Sequence, residues 1–228
     1  MCSVQSVDKP TLRGYLIYVM KKILITAGPT REKIDAVRFL SNRSSGKMGY
    51  ALAAAARDAG LDVTLVSGPV ALPPVDGVTT VRIESAAEMA EAVKSRAPEM
   101  DIVIMAAAVA DYRPVRTFDG KLKKLPGGLT LELERTEDIL ASLGQVKPAG
   151  QLLIGFAAET DDLIANAAGK LARKNLDWIV ANDVRRTDRG FASDCNAVTL
   201  LARDGRRIDL DLAPKSEIAR RILQIVLG

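Results

Sequence analysis

The chain has 228 residues, 48% of them apolar, which is enough for one sizeable core and points to a single main domain. A net charge of +4 sets 32 basic residues against 28 acidic ones and only 4% are aromatic, so phosphate-bearing small molecules account for the basic excess better than nucleic acid does. Histidine is absent, which excludes Ser-His-Asp and Cys-His catalysis and imidazole metal ligation, while Cys2 and Cys195 match no metal or redox spacing and read as free thiols of a reducing compartment.

Residues 1–19 carry a short apolar patch, Tyr15 to Val19, without the cleavage pattern of a signal peptide. Met20 stands just before the first strand-like run, so residues 1–20 are expected to be a non-essential extension to a domain over residues 21–228. No apolar run reaches the ~20 residues that span a bilayer, and the expectation is a soluble, cytoplasmic protein without membrane contact.

From there the apolar pattern predicts a strand over Lys22–Thr26, a helix over Lys47–Ala59, and strands over Asp62–Ser67 and Val78–Ile83. Ser85 followed by Glu88 is a capping box ahead of a helix over Ala86–Arg96. Asp101–Val109 is almost continuously apolar, the mark of a central strand buried on both faces. Residues 113–136 break the alternation with Lys121-Leu122-Lys123-Lys124, Pro126-Gly127-Gly128 and the two-residue period of Leu129–Glu134, which predicts a strand-bearing flap outside the main sheet. A strand over Gln151–Ala157, a helix over Asp161–Lys174 and a strand over Asp177–Asn182 follow. A hairpin of Ala197–Ala202 and Arg207–Leu212 and a closing helix over Pro214–Leu227 end the chain. The whole reads as α/β: a doubly wound, Rossmann-like, mostly parallel sheet with helices on both faces and a protruding flap.

The chemistry concentrates where strands end. Ser41-Asn42-Arg43-Ser44-Ser45-Gly46-Lys47-Met48-Gly49 opens the first helix with free backbone N–H groups, two hydroxyls and no acid, which is the build of a phosphate site. An ordinary serine N-cap is the other reading. Gly28-Pro29-Thr30 is not a dinucleotide fingerprint and Ser67-Gly68-Pro69 offers no acid to a ribose, so both tests go against NAD. Met48 stands where a Walker A loop needs Ser or Thr. Met105-Ala106-Ala107-Ala108 brings small side chains to a strand end, and Asp111 sets a carboxylate beside them, either in the crevice or capping a turn. Lys170 and Lys174 lie four apart on one helix face, as phosphate contacts or as solvated charge.

Taken together, Gly28–Glu32, Val37–Asn42 with Ser44–Gly49, Ala106–Tyr112, Lys121–Lys124, Gly155–Thr160 and Lys174–Asp177 with Val180–Asp183 resemble bacterial phosphopantothenoylcysteine synthetase, in order, over about residues 21–228. Arg43 departs from the pattern, since many members carry histidine there. The resemblance implies a ligase: 4′-phosphopantothenate attacks the α-phosphate of CTP to give an acyl-cytidylate and pyrophosphate, and L-cysteine then displaces CMP. It further implies Mg²⁺ and a homodimer. In bacteria the domain is commonly joined to a flavin-dependent decarboxylase, so FMN is not expected in this half, and a separate decarboxylase is a possible partner. ATP lies on the same fold, and CTP follows from the closer likeness to bacterial members.

By position, the resemblance assigns phosphates to Ser44, Ser45 and Gly46. Nucleotide contacts fall to Met105, Ala106, Ala107 and Asp111, to Glu137, Asp138, Ile139 and Leu140, and to Phe156, Lys170 and Lys174. Arg38 and Ala108 fall near the phosphopantothenate, Asn42 at turnover of the acyl-cytidylate as an oxyanion donor, and Lys121 on the flap closing over the reacting groups. A reductase-like enzyme of the same fold needs a Tyr-x-x-x-Lys pair, yet Tyr112 is followed by Arg116. A non-catalytic nucleotide sensor has no use for Asn42, Asp111 and Lys121 together. A truncation beginning at Met20 is expected to keep both folding and turnover, measured by circular dichroism and pyrophosphate release; an insoluble or inactive product makes the extension part of the domain.

Overall fold

The computed structural model describes residues 20–124, 127–159, 162–183 and 193–228. Residues 1–19 of the expected extension with Cys2, Pro126 of the flap, Thr160, and Asp161 at the start of the predicted helix lie outside them. Strand β1 (Lys22–Ala27) pairs in parallel with β4 (Asp62–Ser67) on one side and β6 (Ile102–Met105) on the other. Beyond β4 lies β5 (Thr79–Arg82), and beyond β6 lie β9 (Leu152–Glu159) and β10 (Trp178–Asp183), all parallel. The hairpin of β11 (Cys195–Ala202) and β12 (Arg207–Pro214) completes an eight-stranded sheet antiparallel to its neighbours' rule, with β11 reversed against β10 and β12 reversed again.

Helices cover both faces, which is why the inner strands read as unbroken apolar runs. On one face, α1 (Lys47–Asp58) and α5 (Lys215–Leu227) bury Leu52, Ala53, Ile218 and Ile222 against Ile23, Ile25 and Ile104. On the other, α2 (Ala86–Lys94), α3 (Ile139–Val146) and α4 (Leu163–Arg173) bury Met89, Leu143 and Ala167 against Leu24, Val103 and Leu153. The expected fold class holds. Among the described residues no helix is long and apolar enough to cross a membrane.

Two expectations are corrected. The central strand predicted over Asp101–Val109 ends at Met105, and Ala106–Val109 form a half-buried loop. Alanines serve strand and loop alike, and beyond Met105 the ladder gives way to threonine hydroxyls: Ala107 N–H donates to Thr26 Oγ1 at 3.0 Å and Ala110 N–H to Thr30 Oγ1 at 2.9 Å. The helix predicted to Arg96 stops at Lys94, and Pro98 lies in a separate 3₁₀ turn over Ala97–Glu99. Its capping box is present in shifted form, with Ser85 Oγ accepting from Glu88 N–H at 3.2 Å and Glu88 accepting from Glu84 N–H at 2.7 Å.

Two small ribbons stand outside the sheet, namely β2 (Arg31–Lys33) with β3 (Phe39–Ser41), and β7 (Tyr112–Pro114) with β8 (Leu133–Arg135). The second is the base of the expected flap, though only the end of the Leu129–Glu134 alternation is paired.

Helix α1 docks on β1 through Gly49. A Cβ there falls 2.5 Å from Ala27 Cβ and 2.9 Å from Ala27 Cα and Thr26 O, and main chain does not yield cheaply. Gly49→Ala is therefore expected to lower unfolding free energy by about 1–3 kcal/mol, measured by urea denaturation. A change within ~0.5 kcal/mol, the range of an ordinary surface substitution, contradicts this packing.

Candidate active site

The sheet's connections change direction between β1 and β6: β4 and β5 add on one side of β1, and β6, β9 and β10 on the other. Such a switch point leaves a crevice at the carboxyl ends of the strands. A cavity of about 440 Å³ occupies it, within the usual size of small-molecule sites.

One wall is the start of α1. Its N-cap, Gly46, has φ 78°, a left-handed conformation that glycine adopts at no steric cost, and a Cβ there meets Val70 Cγ1 at 2.7 Å. No side chain caps the helix and its first turn holds no acid. The ordinary serine N-cap is thereby ruled out: Ser44 Oγ instead accepts from Gly46 N–H at 3.3 Å, within the turn. The positive end of α1 is directed at the cavity without a resident anionic side chain.

The opposite wall is the loop from Ala106 to Asp111, which no strand pairs fully. Besides the Thr26 and Thr30 hydroxyls, both fully buried, it is held by a backbone pair in which Ala108 N–H donates to Gly28 O at 2.9 Å. Thr136 Oγ1 donates to Ala110 O at 2.5 Å. Asn42 Nδ2 donates to Ala108 O at 3.0 Å and to Val109 O at 3.2 Å. Both amide hydrogens of Asn42 thus go to the loop, and Oδ1 is the polar atom that makes neither of these bonds.

The remaining walls carry Lys47, Lys170, Lys174 and Lys215 against Asp111, Glu137 and Asp138. Lys47 Nζ donates to Asp194 Oδ1 at 2.6 Å, and that contact holds the Asp194 carboxyl below the usual carboxylate range. Lys215, only 6% exposed, donates to Ser193 O at 2.6 Å, and burial followed by the Lys47 charge pushes its ammonium below the usual lysine range. Lys174 pairs with Asp138 at 2.8 Å, while Asp138 Oδ1 also accepts from Ala141 N–H at 3.1 Å to cap α3. Lys94 donates to both Glu137 oxygens at 2.8 Å and, with Ser142, lowers that carboxyl. Asp111 is exposed at the rim. Asn182 Oδ1 is buried on the wall without a hydrogen-bond partner, an unmet acceptor of the kind that ligands and waters fill.

The structure gathers Asn42, Ser44, Ser45, Gly46, Met105, Ala106, Ala107, Ala108 and Asp111 around this cavity, with Glu137, Asp138, Ile139, Leu140, Phe156, Lys170 and Lys174. Arg38 and Lys121 stand outside it, on the β2–β3 turn and the flap. Lys215, Thr136, Asn182 and Asn196 line it as well and were not singled out in the sequence. One signal was there: a lysine at the first position of a helix, as Lys215 is in α5, opposes the helix dipole.

Residues 18–228 match the family model described as DNA/pantothenate metabolism flavoprotein C-terminal domain. The chain is 53% identical over 205 residues to the coenzyme A biosynthesis bifunctional protein CoaBC of Bacillus subtilis (strain 168), covering 90% of this chain and 50% of that one. It is 47% identical over 208 residues to a protein of an unknown prokaryotic organism named cysteine/cysteine sulfinic acid decarboxylase, covering 91% and 58% respectively. The chain thus spans about half the length of the curated relatives it matches. A crystal structure of the C-terminal domain of coenzyme A biosynthesis bifunctional protein CoaBC aligns with a TM-score of 0.78 at 51% identity, over 91% of this chain and 94% of that one. With the switch-point cavity and its uncapped helix already in place, the chain belongs to the DNA/pantothenate metabolism flavoprotein C-terminal domain family, and within it is similar to the C-terminal domain of CoaBC.

Proposed function

We propose that the protein joins 4′-phosphopantothenate to L-cysteine in coenzyme A biosynthesis, through an acyl-cytidylate made from CTP. The observation that carries this reading is the acid-free, uncapped start of α1, facing a cavity that Lys47, Lys170, Lys174 and Lys215 also line. In the first step a carboxylate oxygen of 4′-phosphopantothenate attacks the α-phosphorus of CTP, and the bond to the bridging oxygen of pyrophosphate breaks. In the second the amine of cysteine attacks the acyl carbon, CMP leaves and the amine gives up a proton. Neither step needs a covalent enzyme intermediate, which suits a chain without histidine. The work left to the protein is positioning and charge neutralisation, supplied by helix N–H groups and lysines.

Phe156 offers an aromatic face beside Leu140 for the base, and the lysines and the α1 terminus take the phosphates. Asn42 holds the Ala108–Val109 loop against the acyl group and offers Oδ1 to the incoming amine. Lys121 reaches the reacting groups from the flap. Among the described residues no group of three or more acidic or thiol side chains could hold a metal. Asp111 at the cavity rim is the carboxylate that would help to hold Mg²⁺, which would neutralise phosphate charge there. Half-exposed Val37, Phe39, Tyr112, Val115, Phe118 and Leu133 on the two ribbons support a homodimer through that face. A decarboxylase is the expected partner of this domain, and the cytoplasm is the proposed compartment.

The test is a pyrophosphate-release assay with each substrate omitted in turn. Turnover is expected only with 4′-phosphopantothenate, L-cysteine, Mg²⁺ and a nucleotide together, and faster with CTP than ATP at matched concentrations. Activity without phosphopantothenate sinks the assignment, and faster turnover with ATP sinks the nucleotide preference. Asn42→Asp keeps an acceptor but loses both donors to the loop. It is expected to form the acyl-cytidylate, detectable by quenching and mass spectrometry, and to consume it ~10²-fold more slowly. Equal slowing of both steps reduces Asn42 to a structural residue.

A further inference from the structure

Asp35, in the turn between β2 and β3, is 3% exposed and does not line the cavity. Its carboxylate is nonetheless among the most heavily used groups in the molecule. Oδ1 accepts the backbone N–H of Val37 and that of Arg38, each at 2.8 Å. Oδ2 accepts Arg38 Nε at 2.9 Å, Arg38 Nη2, and the backbone N–H of Leu122 at 3.0 Å. Arg38 Nη2 also donates to the Leu122 carbonyl at 2.9 Å, so both main-chain groups of one flap residue close on a single ion pair. A second tie lies one residue away on the hairpin, where Phe118 N–H donates to Ile34 O at 3.0 Å.

A buried carboxylate is costly unless its lone pairs are filled and an opposite charge is adjacent. Both conditions are met here. The Arg38 guanidinium, against the opposing pull of burial, holds the carboxyl well below the usual carboxylate range, and the three N–H donors add to this. The clamped residue is the direct neighbour of Lys121, whose side chain is exposed. From this geometry we infer that Asp35 is a positioning residue for the ligation: it orients Arg38, fastens the flap at Leu122 and thereby sets the reach of Lys121. The inference rests on the role proposed for Lys121 and adds the group that holds it in place. Neither Asp35, Arg38 nor Leu122 lines the cavity, so the effect travels through the flap. Displacing a positioned group by about 1 Å costs ~10²-fold in rate.

The experiment compares Asp35→Asn, Asp35→Glu, Lys121→Gln and the double variant Asp35→Asn/Lys121→Gln in the full chain. Amide exchange at Leu122 is followed by NMR and pyrophosphate release by the coupled assay. Asp35→Asn is expected to speed Leu122 exchange and lower kcat by ~10- to 100-fold, with the KM for L-cysteine unchanged. Asp35→Glu, which keeps the charge, recovers part of that rate. The double variant is expected within roughly twofold of the worse single one, because residues acting as a unit do not add. Wild-type exchange or wild-type kcat in Asp35→Asn, or losses that multiply in the double variant, overturns the inference. A wild-type rate in Lys121→Gln removes the reading of Lys121 and this inference with it, a result that single variant reports by itself. If Asp35→Asn fails to fold, Arg38→Lys, which keeps the charge but loses the fork on Asp35 and the donor to the Leu122 carbonyl, is expected to speed Leu122 exchange and to lose rate likewise; wild-type exchange or an unimpaired rate in Arg38→Lys overturns the inference.

Discussion

Just past the sheet, the main chain leaving β6 runs out of strand partners, and how it is held determines the site. Its N–H groups at Ala107 and Ala110 go to the hydroxyls of Thr26 and Thr30, and its carbonyls at Ala108, Val109 and Ala110 go to Asn42 and Thr136. A buried main-chain group left without a partner costs about 1–3 kcal/mol, which applies most fully to the Ala110 N–H on Thr30, while the bonds from Asn42 lie nearer solvent; together the four side chains narrow the paths open to the loop. The cavity is the space that this path leaves open. A loop supported in this manner can present small side chains and bare backbone to a ligand while staying rigid.

The second constraint is electrostatic. Lys47 and Lys215 both sit in the first turn of a helix, where the dipole favours acids. Lys215 is also nearly buried, and its ammonium is depressed by that burial and by Lys47. Such placements work against stability in isolation and become favourable once an anion arrives. Exposed Asp194 engages Lys47 in the meantime, on a side chain that solvent competes for. The architecture and these two lysines thus favour negative charge at the same spot, which is what the proposed nucleotide would bring.

How much of this the sequence revealed depended on which physical signal each element carries. Strands buried on both faces leave continuous apolar runs, and β1, β4 and β10 were legible within a residue or two. That the start of α1 would carry no acid and line the crevice was legible from Ser44-Ser45-Gly46 and its neighbours. The end of β6 was not, since alanine is indifferent between strand and loop and the deciding hydroxyls lie some 80 residues away in the chain. Asn42 lines the cavity, and its bonds to carbonyls 66 and 67 residues distant leave no mark on the local sequence. Asp35 and Lys215 left no periodic trace: one reads as a turn residue and the other as a surface lysine until the partners are known.

The antiparallel hairpin at the sheet's edge has a consequence of parity. Every strand from β1 to β10 in the main sheet runs the same way, so each ends at the rim where the cavity lies. Strand β11 runs back, and a helix attached to it would begin at the far rim. Strand β12 reverses once more, restoring the original sense, and α5 therefore begins at the cavity rim beside the start of α1. An odd number of added strands would have carried Lys215 to the opposite end of the molecule. The hairpin is in this respect a sign change applied twice, and it brings a second helix terminus to the ligand from the last 14 residues of the chain.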